Sequence, residues 1–163
     1  YLIHQPMNDY YGAWRAMEEL YRAGRVRAIG VSNFLPHHLE NLLEVCTVPP
    51  MVDQIEFHPG YVQWETVEFC RASQILVEAW SPLGRQRLAD DPLLAELAGK
   101  YGVSQAQICL RFALDCGVVP LPKSADAGRM RQNLALDFAL EAEDLERLRT
   151  MPQTGWSGLH PDK

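Results

Sequence analysis

Five short apolar runs, each followed by a stretch of helical periodicity, constrain this chain more than any other feature. The runs are Tyr1–Ile3, Val26–Val31, Met51–Phe57, Ile75–Trp80 and Val118–Leu121. Between them, apolar residues recurring every three or four positions predict helices over 11–23, 36–45, 64–72 and 92–115. Strand-length runs that alternate with helices imply parallel strands joined by crossover helices, an α/β architecture. Punctuation supports the boundaries. Asp91 before Pro92 reads as an N-cap followed by N1, Gly102 ends the helix begun there, and Ser104 opens a second, so 92–115 is predicted to be two helices. Gly24 closes the helix that starts near Asp9. In the third run Gln54, Glu56 and His58 alternate with Ile55 and Phe57, and a period of two places the polar set away from the helix layer, as at the mouth of a barrel. No repeat, linker or low-complexity tract interrupts the pattern, so residues 1–163 read as one domain.

Composition excludes several classes of partner. A net charge of −6 argues against nucleic acid, whose phosphate backbone requires a basic face. No apolar stretch approaches the roughly 18 residues of a membrane span, and the first residues carry no basic signal-peptide region. Cys46, Cys70, Cys109 and Cys116 form no C-x-x-C pair and read as reduced core residues of a cytoplasmic protein. No histidine has metal-ligand spacing; His37, His38 and His160 read as surface residues. Against this acidic background VVPLPKSADAGRMRQN (118–133) stands out as a strand ending in a Lys-Ser pair that opens a helix with Arg129 in its early turns. A helix N-terminus with two cations beside it suits the phosphate of a small molecule. Ser124 equally reads as an N-cap alone, with Lys123 and Arg129 as solvated charges.

YLIHQP (1–6), RAIGVSNF (27–34), VDQIEFHP (52–59), EAWSPLG (78–84) and PLPKSADAGRMRQN (120–133), in that order, resemble the carboxyl-terminal part of an aldo-keto reductase. At subfamily level they are similar to bacterial diketo-gluconate and methylglyoxal reductases. The resemblance implies a (β/α)8 TIM barrel, of which this chain would hold the last five strand-helix units, with the active site at the carboxyl ends of the strands. It implies NADPH-dependent reduction of an aldehyde or ketone, and a small carbonyl compound as substrate.

By the same resemblance His4 is the catalytic histidine that orients the substrate carbonyl, although a lone His after an apolar run is also a common structural residue. Gln5 stands where the family often has Trp. Ser32, Asn33 and Gln54 match the contacts to the nicotinamide carboxamide; their plain readings are capping of the Pro36 helix and an ordinary polar strand position. Trp80 matches the ring that stacks on the nicotinamide, or it fills core. Ser81, Leu83 and Gly84 match the loop over the pyrophosphate, Lys123, Ser124 and Arg129 the clamp on the 2′-phosphate, and Gln132 and Asn133 the adenine contacts. Two cations at the clamp favour NADP over NAD.

The family's Asp, proton-donating Tyr and Lys belong to strands one to three and nearby loops, upstream of Tyr1, and carbonyl reduction needs that proton donor. Tyr10 and Tyr11 follow the first strand, but no motif sets a Lys beside them, and Lys100 reads as a solvated helix residue. The chain alone is therefore expected to be inactive and to pair with a missing amino-terminal segment or a second copy. The alternative is a non-catalytic nucleotide-binding or regulatory relative. LAGKYGVSQAQICLRFAL resembles a helix-turn-helix, yet Arg111 is the only basic residue of its second helix, which disfavours DNA. Trp156, in the tail from Thr150 to Lys163, could line a substrate pocket or pack on the barrel rim.

Overall fold

The computed structural model describes all residues except 154, 160 and 163, and the side chain of Gln86. The chain divides into two compact units. The first holds 1–55, 63–78 and the tail from Leu159; the second holds 56–62 and 79–158.

In the first unit β1 (Leu2–Ile3), α1 (Tyr10–Arg22), β2 (Gly30–Ser32), α2 (Pro36–Val45), β3 (Val52–Glu56), α3 (Trp64–Ala72) and β4 (Leu76–Trp80) follow one another. β3 ends, and β4 finishes, in the second unit. Leu2 pairs with Gly30, and Val31 with Asp53, both in parallel. Leu76 N–H donates to Met51 O at 3.0 Å, so each strand lies beside its predecessor. Gly30 permits this spacing, because a Cβ there would lie 2.5 Å from Val52 O. Asp9 caps α1 by accepting from Gly12 N–H, and the helix buries Trp14, Met17 and Glu18 on one stripe. The Glu18 carboxylate accepts from Thr47 and Val48 N–H at 2.7 Å each and from Arg22; these partners outweigh burial and hold its carboxyl below the usual range.

In the second unit the end of β4 carries Ala79, whose carbonyl accepts from Leu121 N–H just past β5 (Val119–Pro120). The sheet order is thus β1-β2-β3-β4-β5. A 3-10 turn (Gly84–Gln86) precedes α4 (Pro92–Tyr101), α5 (Gln105–Asp115), α6 (Ala127–Leu134) and α7 (Ala142–Thr150). The predicted split of 92–115 is present. Asp91 accepts from Leu93 and Leu94 N–H, Gly102 ends α4, and Ser104 with Gln107 forms a capping box on α5. α5 buries Ile108, Cys109, Leu110, Phe112 and Ala113, and Phe57 stacks on Phe112 at 5.7 Å. Arg111 is tied to Asp115 and to Leu136 O. Arg111, the basic residue of α5, is thus engaged within the protein, and no helix among the described residues is long and apolar enough to cross a membrane.

The sequence reading is corrected at several places. The sequence reading names no helix between Asn133 and Thr150, yet α7 is there; its sequence AEDLERLRT has a narrow apolar stripe, and it is anchored by the buried Leu148 and by the buried Asp144, which accepts from Lys100 Nζ and Tyr101 OH at 2.6 Å each. Lys100 is exposed, as expected, and also pairs with Glu141 and Asp144. His38 is buried, not on the surface, because its Nδ1 accepts from Leu35 N–H at the start of α2 and its ring meets Phe34 and Tyr10. His160 lies outside the described residues. The cysteines are free thiols, three of them buried.

Asp53 is a surprise of β3. It is fully buried, its carboxylate meets Phe34 N–H at 3.5 Å and Cys70 Sγ at 4.0 Å among the described residues, and burial pushes its pKa up to about 8. Between the ordinary carboxylate pKa and about 8, the folded chain keeps a proton that the unfolded chain has released, so this group lowers stability as pH rises through that window. Asp53→Asn retains an acceptor for Phe34 and removes the titration. Urea unfolding should show the variant gaining on the parent by about 3–4 kcal/mol between pH 5 and pH 8. Parallel pH profiles for the two proteins would contradict this.

Candidate functional site

The second unit carries a cavity of about 540 Å³ at the end of β4 and β5, and its wall contains three cations and no carboxylate. Ser81, Leu83 and Arg85 come from the loop after β4; Lys123 and Ser124 follow β5; Arg129, Gln132 and Asn133 come from α6. Parallel strands put their last residues at one edge, which explains how segments forty residues apart in sequence meet here. None of Arg85, Lys123 and Arg129 forms a salt bridge among the described residues. Arg85 Nε donates to Ser81 Oγ at 2.9 Å, and its guanidinium lies 5.3 Å from the Trp80 ring centroid. The loop is sharply bent: Ser81, Gly84 and Arg85 all have φ between 49° and 63°. An acid-free wall with three unpaired cations, in a protein of net charge −6, is built for an anion.

One detail departs from the sequence reading. Ser124 does not cap α6. Asp126 does, accepting from Arg129 N–H at 2.7 Å, while Ser124 Oγ accepts from Asp126 N–H in the turn before it. The Arg129 N–H of the first turn is therefore taken by the protein's own carboxylate.

The first unit gathers the other expected residues at the ends of β1, β2 and β3. Ser32 Oγ donates to Gln54 O at 2.7 Å, and Asn33 N–H donates to the same carbonyl at 3.0 Å. Asn33 Nδ2 donates to His4 O at 3.0 Å and to Ser32 Oγ at 3.1 Å. Gln54 Nε2 donates to Glu78 Oε2 at 2.9 Å. Asn33 adopts φ 61°, a left-handed conformation that turns the chain out of β2. Ser32 and Asn33 are thus not caps of α2, whose N-cap is Leu35. The His4 backbone is held by this network and the residue is exposed.

The sequence model of the Aldo/keto reductase family matches residues 1–151. The chain belongs to the aldo/keto reductase family. Glyoxal reductase of Bacillus subtilis is 44% identical over 165 residues, covering 100% of this chain and 60% of that protein. Methylglyoxal reductase DkgA of Salmonella typhimurium is 38% identical over 169 residues, covering 100% of this chain and 62% of that protein. The crystal structure of Gox0644 in its apo form superposes with a TM-score of 0.94 at 38% identity, covering 99% of this chain and 61% of that one. The chain spans about 60% of the length of the curated relatives it matches. Its five parallel strand-helix units are a part of the family's (β/α)8 barrel.

In this aldo/keto reductase chain the sequence reading missed Arg85 and Glu78. Arg85 sits in a turn whose geometry brings it to Ser81 and Trp80, and its neighbour Gly84 gave the only signal. Glu78 looked like an alternating strand residue, and only the parallel register sets it beside Gln54. Asn33 offers a direct test of the first-unit network. Asn33→Gly should cost less stability than Asn33→Ala by about 1 kcal/mol, because only glycine accepts the positive φ once the side-chain bonds are gone. Equal losses in chemical denaturation would show that the backbone there is not strained.

Proposed function

We propose that this chain is the cofactor-binding portion of an NADPH-dependent reductase of small aldehydes and ketones. The observation that carries the reading is the acid-free cavity wall with Arg85, Lys123 and Arg129 unpaired. Lys123, Ser124 and Arg129 hold the 2′-phosphate, Gln132 and Asn133 meet the adenine, and Ser81, Leu83 and Gly84 pass the pyrophosphate. Trp80 offers a ring for stacking, and Ser32, Asn33 and Gln54 offer the donors and acceptors that a carboxamide needs. When bound, the nicotinamide supplies the hydride. His4 orients the carbonyl oxygen of the substrate. The residue type set fits a phosphorylated nicotinamide dinucleotide, and a Gox0644 variant, 37% identical with a TM-score of 0.93, was solved in complex with NADPH.

The names of the relatives, glyoxal and methylglyoxal reductases, favour small dicarbonyl substrates. We place the protein in the cytoplasm, in keeping with its free thiols. The proton donor is supplied by residues outside this chain, so the 163-residue chain by itself binds cofactor but does not reduce carbonyls. β1 and β5 each have one strand neighbour among the described residues, and these edges are where a further segment or a second copy pairs.

Arg129→Ala should weaken NADPH binding by about 1.5–3 kcal/mol, the size of a lost charged hydrogen bond, and leave NADH nearly unchanged. Fluorescence titration measures both. Equal loss for the two cofactors refutes the clamp.

A further inference from the structure

Glu56 and His58, two residues apart at the end of β3, are both buried from water and take no part in the cavity wall. Water-free burial of a carboxylate is costly unless its lone pairs are used. Here they are. Glu56 Oε2 accepts from Ser157 Oγ at 2.6 Å and from Ser157 N–H at 3.3 Å, and Oε1 lies 3.4 Å from His58 Nε2. These bonds outweigh burial and keep the Glu56 carboxyl below its usual range. A charged carboxylate at Nε2 places the imidazole proton there. Among the described residues, the buried Nδ1 has no hydrogen-bond partner.

Two segments pass close to that ring, each at a glycine. A Cβ on Gly155 would lie 2.8 Å from His58 Cε1, and one on Gly84 would lie 3.7 Å from the same atom. Leu88 fills the remaining space, within 2.8 Å of the Gly84 position and 3.3 Å of the Gly155 position. Gly84 belongs to the loop whose Leu83 and Arg85 line the cavity. Gly155 belongs to a carboxyl-terminal strap that is tied down at intervals. Gln153 accepts from Val62 N–H at 2.8 Å and donates to Pro59 O, Gly155 N–H donates to Gly60 O, Trp156 lies against Tyr61, and Ser157 reaches Glu56.

We propose that His58, held by Glu56, is a positioning residue through which the cavity loop and the carboxyl-terminal strap are set together, so that binding of a phosphorylated ligand in the cavity and docking of the strap favour one another. The proposal rests on the reading of the cavity as a cofactor-phosphate site. Its physical basis is the shared packing: a ligand that fixes Ser81–Arg85 fixes Gly84 beside the ring and Leu88, and a fixed ring and Leu88 give Gly155 one seat. Such coupling is reciprocal. A strap released from Glu56 must weaken the ligand by the factor by which the ligand had slowed the strap's release.

Amide hydrogen exchange of residues 155–157 in the 163-residue chain, with and without adenosine 2′,5′-bisphosphate, tests this. Saturating ligand should slow exchange there about tenfold in the parent. In Glu56→Gln and in Ser157→Ala the exchange without ligand should be faster, the ligand-dependent slowing should vanish, and affinity for the bisphosphate should fall by the same factor. Ser157→Thr, which keeps both donors, should restore slowing. Ligand that binds the parent while leaving 155–157 unchanged overturns the coupling and spares the cavity reading; failure of the bisphosphate to bind at millimolar concentration overturns both. If Glu56→Gln does not fold, Ser157→Ala, which alters only the strap end, decides.

Discussion

Where a parallel ladder stops, the last backbone carbonyls lose their strand partners, and something must replace them. In the first unit the replacements are the side chains expected to be functional. Gln54 O takes the hydroxyl of Ser32 and the N–H of Asn33, and His4 O takes the amide of Asn33. The same groups that finish the sheet therefore hold one another in orientation. Their polarity is needed structurally before any ligand arrives, and a ligand that meets them meets groups already fixed, which lowers the entropy cost of binding.

Charge is divided with equal economy. Several acids are engaged with the chain's own donors: Asp9, Asp91 and Asp126 cap helices, Glu18 fixes the turn before β3, Asp144 anchors α7, and Glu56 holds the strap. The charged side chains that line the second unit's cavity are all positive, and none forms a salt bridge among the described residues. That separation lets a protein of net charge −6 hold an anion, since the field at the cavity depends on nearby unpaired groups more than on the distant total.

Much of this was legible in the residues. The alternation of apolar runs and helical periods located all five strands, and Asp91-Pro92 and Ser104 with Gln107 marked α4 and α5, because caps act through neighbours in sequence. β2 sits at Gly30–Ser32, carboxyl-terminal to most of the apolar run Val26–Val31, since only its end finds register with β1 and β3. Ser81, Leu83, Lys123, Ser124, Arg129, Gln132 and Asn133 all reach one cavity, whereas Trp80 and Gly84 stand beside it. What stayed hidden depends on long-range partners. Asp53 carries no local sign that it will be sealed under Phe34 and Cys70, Ser157 lies a hundred residues from Glu56, and α7 adds a buried acid, bonded to Lys100 and Tyr101, to a narrow apolar stripe.

The central claim is that the cavity between Ser81 and Asn133 receives the phosphorylated end of NADP(H). Backbone amide chemical-shift mapping of the 163-residue chain, titrated in parallel with NADP⁺ and NAD⁺, tests it most directly. A cofactor seated there gives saturable shifts for NADP⁺ at Ser81–Arg85 and Lys123–Asn133, with the changes near Lys123 and Arg129 much smaller for NAD⁺. Shifts that avoid those two segments, or that are the same for the two dinucleotides, would contradict it.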